Sequence, residues 1–329
     1  MKILATSTVS SLSLTAGTVL SAYPLANVET DQPQERAIGS AKTITIRVSV
    51  SGSTDSLFLD GWLADSGSYS LDGGAATNLS STQLEDRFGF KPWGQNLVKR
   101  KKPLYISGLS ASSTIDLTLV TSTDRKGSPI QGNSITNWVQ SSGADGNFTD
   151  GSSNINAVEN GQVLIGGFAT IGGSDYQITG IKGDGTKAGD ITLSSSVASG
   201  SITALTLPVQ LGILKAGTST DLANPQAVNR TYQNFSTIRT GPAGFRLVSK
   251  RGVAETIEVT GIYSLAQADN LVGIATAQRE QPVPVLMLES MTAERDLFSV
   301  FGAISIPAES YATMGGSHRN LEYLIQEVL

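Results

Sequence analysis

Apolar and polar side chains alternate along much of this chain. In Thr43–Val50, Ile44, Ile46, Val48 and Val50 are interleaved with Thr, Arg and Ser; in Thr114–Val120, Ile115, Leu117 and Leu119 are interleaved with Asp116 and Thr118. Leu205, Leu207, Val209, Leu211 and Ile213 fall on every second position, and so do Ile257 and Val259. A period of two marks strands that bury one face, and the Gly, Pro and Asn clusters between the runs mark turns. The stretch Leu205–Tyr263 is therefore expected to supply antiparallel strands to one wall of a β-sandwich that the rest of the chain closes. Thr114–Val120 and Leu205–Ile213 read as core strands of one sheet.

The same reading places strands at Ile3–Ser10, Leu12–Leu20, Leu57–Ala64, Leu104–Leu109 and Ile304–Ile306. Gln281–Leu288 is a buried strand that starts at a sheet edge, because Pro282 and Pro284 cannot donate to a ladder. Residues 23–42 are polar and read as an extended connection over the surface. Residues 65–102 read as irregular, with Phe88, Phe90 and Trp93 pinning them as a small satellite core. Ser264 with Gln267 has the capping-box form. It predicts a helix to about Ala277, with Leu265, Ala268, Leu271, Val272 and Ala275 on one stripe. Thr292 and Glu294 signal a second helix through about Phe301. Tyr311–His318 reads as a Gly-rich loop and Arg319–Leu329 as a strand in preference to a helix.

The N-terminal run from Lys2 to Leu20 has the outline of a secretory signal. Ser and Thr break it at about every second residue, so two strands are expected in place of a cleaved signal peptide. The run is also too short and polar for membrane insertion.

Composition adds a domain boundary. From about residue 121 the texture changes to Gly, Ser, Asn and Thr with few charges, and the segment around Gln162–Val197 reads as short strands with Gly-rich turns. Four parts follow: residues 1–42 as N-terminal strands and an extended arm, 43–121 with 205–263 as the sandwich core, 122–204 as an inserted small β-domain, and 264–329 as an α+β segment with about two short helices.

The 329 residues carry a net charge of −5, and only 16% are charged. This excludes the signature of disorder and argues against a nucleic-acid footprint. There is no Cys and a single His, His318, which removes disulfides, thiolate chemistry and His-based zinc sites. Gly183–Gly189 (G-D-G-T-K-A-G) invites a phosphate-loop reading, but a strand-like run follows where a helix is needed. Asp145-Gly146-Asn147 and Asp150–Asn156 carry oxygen ligands at alternate positions, yet Gly161 stands where a calcium loop has its Glu. Asp60, Asp65, Asp72, Glu255 and Glu258 are available carboxylates, and nothing in their spacing pairs any two for glycoside hydrolysis. Lys99–Lys102 is the one dense basic run and reads as a solvated turn; contact with an acidic partner subunit or a phosphate-rich surface is the alternative. Trp62, Trp93 and Trp138 read as core or subunit interface, with sugar stacking as the sharper alternative. No catalytic, cofactor-binding or metal-ligating residue is assigned, and no enzyme activity or cofactor is expected.

V-Q-L-G-I-L-K-A-G from Val209, then T-I-R-T-G-P-A-G-F-R-L-V-S-K-R-G from Thr237, resemble β-sandwich proteins of tailed bacteriophage particles. The helix S-L-A-Q-A-D-N-L-V, the strand P-V-P-V-L and T-A-E-R-D-L-F extend the likeness, which covers roughly residues 40–120 and 205–310. The resemblance implies a jelly-roll or galactose-binding-like core. It implies a virion structural protein of the tail, baseplate, neck or fibre attachment, whose partners are copies of itself and other virion proteins. A carbohydrate-binding adhesin that recognises host surface glycan is the alternative, and a polysaccharide-degrading enzyme a more distant one.

Overall fold

The computed structural model describes residues 1–31, 35–81, 83–84, 101–125, 139–140, 147–149, 164–182, 190–197, 201–234, 237–240, 246–249, 253–278, 281–287, 299–314 and 317–327. Antiparallel pairing dominates, as the period of two requires. A large sheet runs in the order β18 (Ala227–Asn234), β21 (Val253–Ser264), β24 (His318–Glu327), β23 (Ser299–Met314), β22 (Val283–Leu286), β1 (Lys2–Ser7), β17 (Ile213–Asp221), β5 (Thr54–Asp60) and β8 (Leu104–Ala111). A small sheet runs β2 (Val9–Ala16), β4 (Thr43–Val50), β9 (Thr114–Val120), β6 (Ser66–Leu71) and β7 (Thr77–Asn78). A third sheet lies within the region of changed texture: β10 (Val139–Gln140), β11 (Asn147–Thr149), β14 (Asp190–Leu193), β13 (Ser174–Lys182), β12 (Phe168–Ile171) and β15 (Ile202–Thr206). Two short pairs remain, β3 (Ala37–Ile38) with β16 (Gln210–Leu211) and β19 (Thr237–Thr240) with β20 (Arg246–Ser249).

The chain is mainly β, and its sheets make a sandwich. At one end of the large sheet, Leu57, Leu59, Leu104, Ile106, Leu214 and Ala216 face the small sheet's Ile44, Ile46, Val48, Ile115, Leu117 and Leu119 in one buried core. At the other end α1 (Leu265–Gln278) covers the same face, where Ala268 and Leu271 meet Ile3, Val285, Ile257, Val259, Tyr323 and Ile325. Strand alternation turns Leu4, Phe58, Tyr105, Ile213, Leu286 and Phe301 to the opposite face, where they form a separate buried cluster. Phe58 stacks on Phe301 at 6.0 Å and meets Tyr105 edge-on at 6.1 Å.

Several elements sit as the pattern predicts. Thr43–Val50 and Thr114–Val120 are β4 and β9, directly paired from Thr43↔Val120 to Ser49↔Thr114. The capping box on α1 is closed in both directions: Ser264 N donates to Gln267 Oε1 at 3.3 Å and Gln267 N to Ser264 Oγ at 3.4 Å. Arg319–Glu327 lies in β24. At Val285 and Leu286 β22 is paired on both sides, whereas at Pro284 it pairs with β23 only.

Other expectations are corrected. Leu205–Ile213 is no single strand. Leu205 belongs to β15 in the inserted sheet, Pro208 interrupts the ladder, and the chain resumes as β16 and then β17. Accordingly β9 and β17 lie in opposite sheets and face each other across the core. Part of the irregular region is β6 and β7, a polar edge of the small sheet. Residues 23–42 do not simply cross the surface: a 3-10 helix at Leu25–Glu29 buries Val28, and β3 buries Ala37. Ser299–Phe301, placed in a second helix, begins β23, and that strand continues through Ile304–Ile306 to Met314. Residues 288–298 lie outside the described residues. Tyr311–Met314, expected in a loop, ends β23. Leu265 is exposed, so the buried stripe of α1 starts at Ala268.

The N-terminal strands cross the sandwich. β1 sits between β17 and β22 in the large sheet, and after Thr8 the chain enters β2 at the edge of the small sheet. β1 reaches β17 across a bulge between Ile3 and Thr6. There Gly217 lies against the Thr6 carbonyl, which a Cβ would strike.

Candidate functional site

The described residues hold no group of three or more His, Asp or Glu side chains that could bind a metal. The carboxylates singled out in the sequence are used to hold turns. Asp72, at φ 50°, accepts five hydrogen bonds: from Ser112 N and Oγ at 2.9 Å each, from Ser113 N at 2.8 Å and Oγ at 2.7 Å, and from Thr114 N at 2.8 Å. Those donors hold its carboxyl well below the usual carboxylate range, the Thr114 amide contributing most. Asp65 accepts from Ser122 N at 2.7 Å, Thr123 N at 2.8 Å and Arg125 Nη2 at 2.9 Å. Asp60 is buried and accepts from Gly61 N at 2.6 Å. Glu258 is half-buried in β21, and Glu255 lies on the same strand opposite Tyr232.

The aromatic and basic candidates divide. Trp62 is fully buried in the sandwich core, and its Nε1 donates to Lys102 O at 2.9 Å, so it offers no ring to a sugar. Lys101 is buried, not solvated: its Nζ donates to Leu84 O at 2.6 Å and its N to Trp62 O at 3.0 Å. Phe88, Phe90, Trp93, Lys99, Arg100, Trp138, Asp145, Gly146 and residues 150–156 lie outside the described residues. So does Gly183–Gly189, but the flanking β13 and β14 pair directly at Lys182↔Asp190, and β14 is the strand that follows. His318 is exposed at the start of β24, with its Nδ1 2.9 Å from Ser317 Oγ.

Hydroxyl groups are buried on both faces of the large sheet. Tyr263 and Tyr323 hydroxyls meet at 3.0 Å, and Tyr323 OH donates to Met1 Sδ at 2.9 Å. Burial raises both phenols. On the opposite face Tyr105 OH is also raised by burial. Ser56 and Ser219 hydroxyls lie near enough to oppose that shift, but none of the three completes a hydrogen bond of good geometry.

Several specific contacts lie where the inserted sheet meets the sandwich. Arg125 N donates to Leu205 O at 2.6 Å and Leu205 N to Asp124 Oδ1 at 2.9 Å, so the chain enters and leaves the insertion side by side. Lys42 Nζ lies 2.6 Å from Asp175 Oδ2 and 5.9 Å from the centre of the Phe168 ring. Desolvation opposes the charge on Asp175, but bonds from Lys42 and Thr170 together hold its carboxyl below the ordinary value.

Gly166, at φ +90°, lets the insertion approach so closely that a Cβ there would meet Ile38 Cγ2 at 2.7 Å and Leu20 Cδ1 at 3.2 Å. Its neighbour Ile165 is 40% exposed, and Tyr23 is 37% exposed. Tyr23 N donates to Leu20 O, and Tyr23 O accepts from Ile38 N. Arg36 directly precedes β3. Its Nη1 donates to the buried Gln210 Oε1 at 2.9 Å, while its Nε is buried with no partner. Burial lowers the Arg36 guanidinium below its usual value, and only the Tyr23 phenol acts against that.

No family model matches this chain, and no curated protein or solved structure matches it. The fold defines a strand-rich antiparallel sandwich that carries an inserted sheet. Among the described residues no helix is long and apolar enough to cross a membrane.

Proposed function

We propose that the chain is a structural component of a tailed-phage particle, acting by protein–protein assembly in the tail, baseplate, neck or fibre attachment. The observation that carries this reading is β2. It ends the small sheet among the described residues, exposes Ser10, Ser11, Ser13 and Thr15, and contains neither charge nor proline. Free-standing proteins usually blunt such edges with Lys, Pro or bulges. β2 has bulges only at its ends, leaving Ser11–Leu14 regular, with Leu12 and Leu14 half-buried at the rim of the core. An added strand from a neighbouring subunit would complete their burial. The sequence resemblance at Val209 and Thr237 supports the same reading.

The test is to purify particles from the phage that encodes the chain, quantify the chain by mass spectrometry and label it with antibody. Fixed stoichiometry with label on the tail or neck is the expected result; a chain absent from washed particles overturns the proposal.

A further inference from the structure

We infer that the free edge of β2 takes a single extended segment of another protein chain, whose side chains run apolar, small polar, apolar opposite Leu12, Ser13 and Leu14. This rests on the assembly reading in taking β2 as the contact surface, and it adds the form and chemistry of what docks there.

The ladder fixes which backbone groups are on offer. In antiparallel pairs the N–H and C=O of one residue point to the same neighbour, and successive residues alternate between neighbours. Val50 N donates to Ser113 O at 2.9 Å and Thr121 N to Lys42 O at 2.8 Å. Even-numbered residues of β4 therefore bond β9, and odd-numbered ones bond β2. Arg47 and Ser49 lie opposite Ser13 and Ser11, so they take up the backbone groups of those serines. The N–H and C=O of Leu12 and Leu14 point the other way, to an edge that no described strand pairs.

The same register sets the side chains. Residues directly opposite each other share a face of the sheet. Leu12 and Leu14 pack half-buried against the sandwich core, so the residues that bond them also turn inward and call for apolar side chains. The residue between those two faces outward beside the exposed Ser13. On its other side Ser13 adjoins Arg47, whose guanidinium is closed on Asp116 through two bonds of 2.7 Å each. A small hydroxyl therefore suits the middle position better than a charge.

The layers set the shape. β2 and β4 lie over β17, and β6 lies over β8. The small sheet thus stops at β2, while the large sheet runs on past it through β1 and β22 to the strands under α1. Ala5 on that floor is half-buried, and Gln278 at the end of α1 donates to Ala5 O at 2.9 Å. A second sandwich pairing edge to edge would drive its own large sheet into this one. A lone strand needs only its own width, about 4.8 Å from β2, and adds by main-chain bonds.

The probes are blocked, dye-labelled heptapeptides centred on Val-Ser-Val, titrated into the full chain and read by anisotropy. N-methylating both valines removes the N–H groups that would donate to Leu12 O and Leu14 O and keeps the side chains. It is expected to weaken binding about tenfold or more, and a Lys-Ser-Lys centre is expected to abolish it. Hydrogen exchange resolved to single amides reads the site. Leu12 and Leu14 are expected to exchange fast in the free chain and to be protected by the Val-Ser-Val peptide, whereas Ser13 is protected in both. Equal affinities of the plain and N-methylated peptides, or binding that leaves the Leu12 and Leu14 amides unprotected, overturn the inference. So does protection of those amides in the free chain; with a dimer in sedimentation, the occupant is a second copy. Particle purification tests the assembly reading by itself: a chain present in washed particles that binds none of the peptides overturns this inference alone.

Discussion

Asp72 does at the scale of one residue what a short loop usually does with several. Its carboxylate collects the amides and hydroxyls at the turn between β8 and β9, and its φ of 50° is the strain that puts it there. Because its folded pKa is depressed, its contribution is present above the unfolded value of about 4 and is lost as pH falls below that. Melting temperature followed from pH 6 to pH 2 should therefore show the wild type losing its advantage over Asp72→Asn in the acid range. The buried tyrosine pair gives a second outcome. Tyr323→Phe or Tyr263→Phe alone leaves one buried hydroxyl short of its partner and should cost about 1–3 kcal/mol. The double variant should cost less than the sum, as measured by a denaturant double-mutant cycle. At Gly217 any side chain meets the Thr6 carbonyl, so Gly217→Val should destabilise by about 3 kcal/mol or more, because β1 must move off β17.

At the scale of the element, local signals were legible where they were self-sufficient. The capping box fixed the start of α1, and Ser264→Ala should cost about 1 kcal/mol in urea unfolding. β4 and β9 were legible because each buries one clean face. Period alone does not say where a strand changes partners, which is why Leu205 and Ile213 read as one strand although they belong to different sheets. The cap signal at Thr292 outweighed the even-numbered run Val300, Ile304 and Ile306 that marks β23. β6 was missed because its Ser, Gly and Tyr residues are only half-buried and show no apolar alternation.

At the scale of the whole molecule, the paired entry and exit at Arg125 and Leu205 make the insertion separable. A chain in which residues 126–204 are replaced by a two-glycine linker should still unfold in one cooperative transition, monitored by far-UV circular dichroism. Loss of that transition would mean that the joint through Lys42 and Asp175 is required for the sandwich. The position of β1 has a consequence for how the protein is made. β1 is translated well before residues 217–221 and 285–286, between which it ends in the large sheet. At about 5–20 residues synthesised per second, its neighbours arrive on the order of tens of seconds later. Until then Ile3 and Leu4 have no permanent shelter. The small sheet, whose strands β2, β4, β6 and β9 are all translated by residue 120, can form while they wait. β1 is thus made more than two hundred residues ahead of the strands that shelter it, and a chaperone that attends this chain during synthesis should bind β1.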